Sequence, residues 1–150
     1  MRKLVRDAMT PNPRTVGPDD TVVDAARMMA DEDIGSIPVV DVDHILLGII
    51  TDRDIALRVV GDGRDPRSTK VGEVATTHVS PAYPDEPLDE ALEQMAYRQV
   101  RRLPVIDDDR VVGILTQADV VHEVKDKQAG QLIEEISSPR EHPPVGVTSA

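Results

Sequence analysis

Apolar residues recur along this chain with the spacing expected of helices that are buried on one side. They follow the i, i+3, i+4, i+7, i+8 pattern in two separate stretches. A Pro-Asp pair and a further acidic residue precede each stretch, and acidic residues favour the start of a helix. Two amphipathic helices in matching register are therefore predicted, with inward positions at Val22, Ala25, Ala26, Met29 and Ala30 and at Leu88, Ala91, Leu92, Met95 and Ala96.

A β-hairpin is predicted after each of these helices. Short β-rich runs at 37–40 and 103–106 lead through acidic turns into apolar runs at 45–50 and 111–115. Pro38 and Pro104 lack the N–H that a sheet requires, so they belong at the start or the edge of a strand. Thr51 and Thr116 are good N-caps for a second helix. That helix turns Ile55 and Val59, or Val120 and Val124, inward.

These elements form an internal repeat. Residues 5–41 align without a gap with residues 71–107, and one residue fewer in the second hairpin brings Gly48 onto Gly113. A short strand before Pro18 or Pro84 completes a β-α-β-β-α unit, so the fold class is α+β (α/β sandwich-like) with two copies. We place the first copy and its linker at 1–66, the second copy at 67–127, and a tail at 128–150 that is partly helical and then flexible. The identical pairs are Val5/Val71, Thr10/Thr76, Pro18/Pro84, Asp19/Asp85, Ala25/Ala91, Met29/Met95, Ala30/Ala96, Pro38/Pro104, Val39/Val105 and Asp41/Asp107.

Composition narrows the function. The net charge of -11 argues against nucleic acid or an anionic membrane as a partner, because phosphates are held mainly by clustered Lys and Arg. Tyr83 and Tyr97 are the only aromatic residues, so bases have no ladder of rings on which to stack. The absence of Cys excludes CxxC sites. No apolar run predicts a membrane span or a signal peptide, and we therefore expect a cytoplasmic protein.

Catalytic chemistry finds no support in the sequence. The four His residues lack metal-ligand spacing, and no nucleophile elbow, Walker loop or G-x-G-x-x-G loop is present. We predict a protein that is not an enzyme, with no catalytic residues, no metal and no required cofactor.

The string G-I-[IL]-T-x-x-D occurs twice, at 48–54 and 113–119, and it resembles the signature of cystathionine β-synthase (CBS) domains. The match covers roughly residues 4–126 and includes the lead-in at 7–11 and the run at 34–40. The resemblance implies a Bateman module, in which two units pack about a pseudo-two-fold axis and leave two clefts for adenosine ligands. Expected ligands are AMP, ADP, ATP or S-adenosylmethionine. By position, Asp would bind ribose and Thr phosphate: Thr51 and Asp54 in one cleft, Thr116 and Asp119 in the other.

The chemistry agrees with this assignment, but T-x-x-D also has a simpler interpretation. A carboxylate can accept two hydrogen bonds from a cis-diol, and a helix start with a Thr hydroxyl can bind phosphate. The same four residues could instead serve only as N-caps and first-turn acids. For a single copy we favour capping, whereas two copies within a matching repeat favour ligand binding.

The resemblance also assigns the residues before each strand proline to the clefts. These are Gly35 and Ser36 in the first copy and Arg101 and Arg102 in the second. Because planar guanidinium groups suit phosphate, the Asp119 cleft is the better candidate for a phosphorylated ligand, although the two Arg residues could be ordinary surface charges. Arg53 could compensate in the other cleft, or pair with Asp52 or solvent. Further candidates from the lead-in segments are Asn12, Arg14, His78 and Ser80.

Together these features predict a regulatory sensor that acts on an unknown protein partner. Val23 and Met28 are apolar where the second copy has Asp89 and Gln94, which suggests a homodimer contact. The alternative is a ligand-free interaction or scaffold dimer. Within the family, the layout is similar to the stand-alone bacterial hypoxic response protein group, which points to stress or dormancy. The similarity rests on the strings at 33–35, 51–55, 99–102 and 136–139.

Overall fold

The structure is a computed structural model, and it describes residues 2–119. The predicted inward positions Val120 and Val124 and the predicted tail at 128–150 lie outside the described residues. The first repeat contributes α1 (Val5–Ala8), β1 (Thr10–Pro11), α2 (Val22–Glu32), β2 (Ser36–Val40), β3 (Leu46–Thr51), α3 (Asp52–Ile55) and a π-helical segment (Ala56–Val60). The second contributes α4 (Val71–Val74), α5 (Leu88–Arg98), β4 (Arg102–Asp107) and β5 (Arg110–Thr116).

The two long helices form where the apolar stripes predict them. Thr21 caps α2 by accepting a hydrogen bond from the N–H of Asp24 at 3.2 Å. The stripe of α5 is fully buried, but that of α2 is narrower, since Ala26 is half-buried and Ala30 is exposed. Each helix ends at a residue in the left-handed region, Asp33 or Gln99.

The hairpin of the first repeat is antiparallel and pairs Ser36 with Thr51. Pro38 lies within β2, opposite Ile49. Its carbonyl accepts a hydrogen bond from Val16 at 3.1 Å, so its missing N–H also faces this edge, where only an isolated bridge forms. The prediction of an edge position for Pro38 is confirmed. The two strands of the second repeat form a three-stranded sheet with β1 of the first repeat, in the order β1-β5-β4.

The chain forms two compact units that do not follow the two repeats. The Asp54 unit comprises residues 11–81 and 106–113, and the Asp119 unit comprises, among the described residues, 2–10, 82–105 and 114–119. Each unit therefore contains the lead-in segment of the opposite repeat, residues 71–81 in one and 2–10 in the other. Both lead-ins contain a single helical turn that the sequence did not indicate, α4 and α1. The domain limits at 66/67 and 127/128 stay a prediction.

The two lead-ins are held by equivalent backbone hydrogen bonds. In the Asp54 unit, Val71 donates to the carbonyl of Asp20 at 2.8 Å and Gly72 donates to Pro18 at 2.9 Å. Residues at the aligned positions do the same in the Asp119 unit. There, Val5 donates to the carbonyl of Glu86 at 2.9 Å, and Arg6 donates to that of Pro84 at 3.0 Å.

Burial fixes the lead-in of the Asp54 unit more firmly than these bonds. Val71 and Val74 of α4 are 0% and 1% exposed and belong to the core of that unit. Burying a valine side chain contributes about 1.5–3 kcal/mol, so the lead-in is an integral part of the unit. The remaining buried members of this core are Val16, Val22, Ala25, Met29, Ile37, Val39, Ile50 and Val59.

Gly48 provides a test of the lead-in packing. A Cβ at this position would lie 2.5 Å from the carbonyl oxygen of Thr76, which is backbone and cannot rotate away. We expect Gly48→Ala to lower the free energy of unfolding by about 1–3 kcal/mol, measured by urea denaturation. Gly17→Ala is the matched control, because its nearest atoms would be 3.8 Å away and the expected change is close to zero. Equal midpoints for the two variants would contradict this account.

Candidate functional site

Asp54 is buried at the start of α3 and takes part in a reciprocal cap. The N–H of Thr51 donates to Asp54 Oδ2 at 3.0 Å, and the N–H of Asp54 donates to Thr51 Oγ1 at 3.0 Å. This is a capping box, in which two N–H groups at the helix start are satisfied by two side chains. The capping interpretation of T-x-x-D therefore describes a contact that the structure contains, whether or not the carboxylate also binds a ligand.

Thr76, from the lead-in of the second repeat, also binds Asp54. Its hydroxyl donates to Oδ1 at 3.1 Å and to Oδ2 at 3.3 Å. Thr76 is placed there by an antiparallel bridge to Ile49, with two backbone hydrogen bonds of 2.9 Å. Sequence reasoning missed this residue, although Thr10 and Thr76 are an identical pair of the repeat and could have drawn attention to it.

The cation next to Asp54 is Arg58 of the π-helical segment. Its Nε lies 4.0 Å from Asp54 Oδ1, and its Nη1 donates to the carbonyl of Val74 at 3.0 Å. Its side chain is 53% exposed, so the guanidinium group spans from the buried carboxylate to solvent. Arg53, which the sequence offered either as a compensating cation of this cleft or as an exposed residue, is exposed, and its backbone N–H donates to Asp52 at 2.8 Å.

Gly35 and Ser36 lie beside this helix start for different reasons. The carbonyl of Gly35 accepts the N–H of Asp52 at 2.9 Å, and a Cβ on Gly35 would lie 2.9 Å from Oδ2 of the exposed Asp52 side chain. Ser36 is 6% exposed, and its Oγ has no hydrogen-bond partner among residues 2–119. Because Ser36 pairs with Thr51, the two side chains share one face of the hairpin.

The Asp119 unit contains the same arrangement. The N–H of Thr116 donates to Asp119 Oδ2 at 3.3 Å, and the N–H of Asp119 donates to Thr116 Oγ1 at 3.1 Å. The hydroxyl of Thr10, from the lead-in of the first repeat, donates to Asp119 Oδ2 at 3.2 Å. Asp119 is half-buried and thus more accessible than Asp54.

Arg101 and Arg102, the two basic residues that the sequence assigned to this second site, stand at the start of β4. The carbonyl of Arg101 accepts the N–H of Gln117 at 3.0 Å, which repeats the contact between Gly35 and Asp52. Both side chains are exposed, and neither forms an ion pair or hydrogen bond with another side chain in the part of the chain that the structure describes. Two exposed arginines therefore stand at the start of β4, and the backbone of the first of them contacts Gln117.

The four remaining sequence candidates are less closely associated with the carboxylate of Asp54. Asn12 adopts a φ of 50° and donates its N–H to Val112 at 3.1 Å, while Arg14 forms an ion pair with Glu32 of α2. His78 is exposed and Ser80 is half-buried. Among the described residues of their unit, none of the four hydrogen-bonds Asp54.

Within residues 2–119, His, Asp and Glu side chains form no group of three or more that could hold a metal ion. Over the same residues, no helix has both the length and the apolar character needed to cross a membrane.

Known proteins resemble this chain over most of its length. The CBS domain profile matches residues 5–61 and 71–126. The CBS domain-containing protein YhcV of Bacillus subtilis (strain 168) is 40% identical over 139 residues, which are 92% of this chain and 98% of YhcV. Hypoxic response protein 1 of Mycobacterium tuberculosis is 36% identical over 134 residues, which are 89% of this chain and 94% of that protein. The resemblance seen in the sequence is confirmed.

Solved structures of similar proteins confirm the α+β fold class and include ligand complexes. Hypoxic Response Protein I with two coordinated zinc ions is 36% identical, with a TM-score of 0.76 over 82% of this chain and 100% of that chain. The CBS domain pair of MJ0100, in complex with 5′-methylthioadenosine and S-adenosyl-L-methionine, is 32% identical, with a TM-score of 0.73 over 81% and 95%. CBSX2 in complex with AMP is 29% identical, with a TM-score of 0.70 over 79% and 93%.

The buried, unpaired hydroxyl of Ser36 leads to a prediction about the stability of the folded protein. A buried polar group without a partner costs about 1–3 kcal/mol, so Ser36→Ala is expected to leave the free energy of unfolding unchanged or to raise it. Thr69→Val is the matched control, because Thr69 is also buried but donates to the carbonyl of Asp65 at 2.7 Å. That control should destabilise the protein by about 1 kcal/mol in urea denaturation. A larger loss for Ser36→Ala than for Thr69→Val would contradict the assignment.

Proposed function

Because this chain belongs to the CBS domain family and carries two CBS domains, we propose that it is a regulatory module that binds an adenosine-containing nucleotide and catalyses no reaction. The observation that carries the proposal is the duplicated carboxylate, Asp54 and Asp119, each at a helix start and each beside a lead-in threonine. The CBS domain pairs of MJ0100 and CBSX2 were solved with adenosine-containing ligands, which supports the same ligand class here. AMP, ADP, ATP and S-adenosylmethionine are the candidates.

In this proposal the two carboxylates bind ribose hydroxyls, and Thr51 and Thr116 contact phosphate. Ser36 would gain the hydrogen-bond partner that its buried hydroxyl lacks, since a ligand atom or an ordered water can satisfy such a group. Gly35 lines the same site through its backbone. The remaining predicted contacts are Arg101, Arg102, Asn12, Arg14, His78 and Ser80.

The cellular role that goes with this activity is stress or dormancy signalling in the cytoplasm. The similarity to Hypoxic response protein 1 supports it. We further propose a homodimer that acts on a protein partner. Met28 packs against the core of the Asp54 unit and Val23 is half-buried, so these residues leave less apolar surface for the dimer than the sequence suggested.

A ligand-free scaffold is the second candidate, and one observation favours it. Asp54 is 7% exposed and already accepts hydrogen bonds from Thr51 and Thr76, as a purely structural carboxylate would. Such a scaffold would associate with itself or with a partner equally well with and without nucleotide, and after substitution of either Asp.

Thermal unfolding in the presence of nucleotides tests the proposed function. AMP, ADP, ATP, NAD and S-adenosylmethionine are titrated against the full chain, and a bound nucleotide at a hundred times its Kd should add about 2.7 kcal/mol of stability. The melting temperature should then rise by several degrees. Asp54→Asn and Asp119→Asn keep an oxygen for the helix cap but remove the negative charge, so each should reduce the rise.

The exposed Asp31 of α2 supplies the control for loss of charge, and Asp31→Asn should leave the nucleotide response intact. No rise with any nucleotide, together with partner binding that neither Asp substitution alters, would favour the scaffold instead.

The unpaired guanidinium groups predict a preference for phosphate at the Asp119 site. The double variant Arg101→Ala and Arg102→Ala should weaken AMP binding by roughly 10- to 100-fold, because it removes charge-assisted hydrogen bonds. Adenosine, which has no phosphate, should bind as it does to the wild type. Isothermal titration calorimetry measures both affinities, and Arg27→Ala on the exposed face of α2 controls for net charge. Equal losses for AMP and adenosine would show that the two residues do not contact phosphate.

A further inference from the structure

Thr76 shares its hydroxyl proton between the two carboxylate oxygens of Asp54, the atoms to which a ribose diol would donate. A carboxylate offers about four acceptor positions. Oδ2 receives the N–H of Thr51, and the Thr76 hydroxyl, with its single proton, lies 3.1 Å from Oδ1 and 3.3 Å from Oδ2. A ligand with one hydroxyl can use a position that remains on Oδ1. A ligand with two vicinal hydroxyls that donates to both oxygens also needs a position on Oδ2, where the N–H of Thr51 and the shared Thr76 proton already bind.

The burial of Asp54 limits the other ways in which a ribose diol could reach its carboxylate. The side chain of Asp54 is 9% exposed, and Arg58 lies 4.0 Å from Oδ1 while it is held by the carbonyl of Val74 at 3.0 Å. Asp54 is itself fixed by the capping box, so it cannot turn to offer its oxygens elsewhere without losing the hydrogen bond from Thr51. The bond from Thr76 is the one that a side-chain rotation can release, since the backbone of Thr76 stays paired with Ile49.

We propose that the Thr76 hydroxyl is a latch on Asp54. Its hydrogen bond to Asp54 must be broken before a ribose can bind, whereas a 2′-deoxyribose can bind while that bond is kept. Thr76 is then a specificity-determining residue that weakens the binding of a ribose relative to a 2′-deoxyribose. It does so from the repeat opposite to the one that contains Asp54. The inference rests on the proposed function, because it assumes that Asp54 binds the sugar hydroxyls of the ligand.

The Asp119 site has a weaker version of the same contact. The hydrogen bonds from Thr116 and Thr10 both end on Oδ2, so Oδ1 takes no part in them. In the sequence, the residue that aligns with Arg58 is Glu123, so the second repeat has no basic residue at that position. A ribose can thus reach Asp119 with Thr10 in place, and we expect this site to fill at a lower ligand concentration than the Asp54 site.

NMR titration with AMP and 2′-deoxy-AMP tests the latch in the full chain. The amide N–H groups of Thr51 and Thr116 donate to the two carboxylates and report on the two sites separately. In Thr76→Val, which keeps the shape but lacks the hydroxyl, AMP should bind about fivefold more tightly at the Thr51 reporter, equivalent to one net hydrogen bond. The affinity for 2′-deoxy-AMP should be unchanged.

Two controls accompany this variant. Thr76→Ser keeps the hydroxyl and should behave as the wild type, while Thr77→Val makes the same change at the exposed neighbouring position and should alter neither affinity.

If Thr76→Val lowers the affinity for both nucleotides equally, or changes neither affinity, the latch is contradicted while the proposal of nucleotide binding still stands. If the wild type binds neither nucleotide at either reporter, the proposed function fails and the latch fails with it. Selective tightening of AMP alone supports both.

Discussion

The structure depends on the burial of each lead-in segment within the unit formed by the opposite repeat. In the Asp54 unit, Val71 and Val74 fill the core beneath the helix and hairpin of the first repeat, and Thr76 pairs with Ile49 at the hairpin edge. Without that segment the core would contain a cavity, and such cavities are strongly destabilising. The glycine at position 48 is needed for the same reason, since the backbone of the lead-in passes directly over it. Each unit therefore requires residues from both repeats.

The same arrangement builds the candidate sites. The helix-start carboxylate of one repeat receives a threonine hydroxyl from the other, at Asp54 and Thr76 and again at Asp119 and Thr10. A duplicated motif thus becomes a pair of composite sites. The two repeats differ in their basic residues: Arg58 lies beside Asp54, whereas Arg101 and Arg102 are exposed at the start of β4 in the Asp119 unit.

Much of the fold could be predicted from the sequence, because helical periodicity, the hairpins and the threonine caps are local patterns. The exchange of lead-ins could not, since repeat identity shows which residues are equivalent but not which copy they pack against. Thr76 was therefore overlooked, although its identity with Thr10 was visible. Arg58 was missed for another reason. Its position beside Asp54 depends on where a side chain of the π-helical segment points, and Arg53 is the arginine adjacent to Asp54 in the sequence.

Capping and ligand binding make compatible demands on the same carboxylate. A capped Asp54 is held in one orientation by its bonds to Thr51, so a ligand would not have to pay the entropy of ordering it. In our proposal the two roles compete only for acceptor positions, and at Asp54 the hydroxyl of Thr76 decides that competition. At Asp119 the threonine uses only the oxygen that the cap already occupies. In this proposal, two sites that share the T-x-x-D pattern differ in ligand affinity because their carboxylates share their acceptor positions differently.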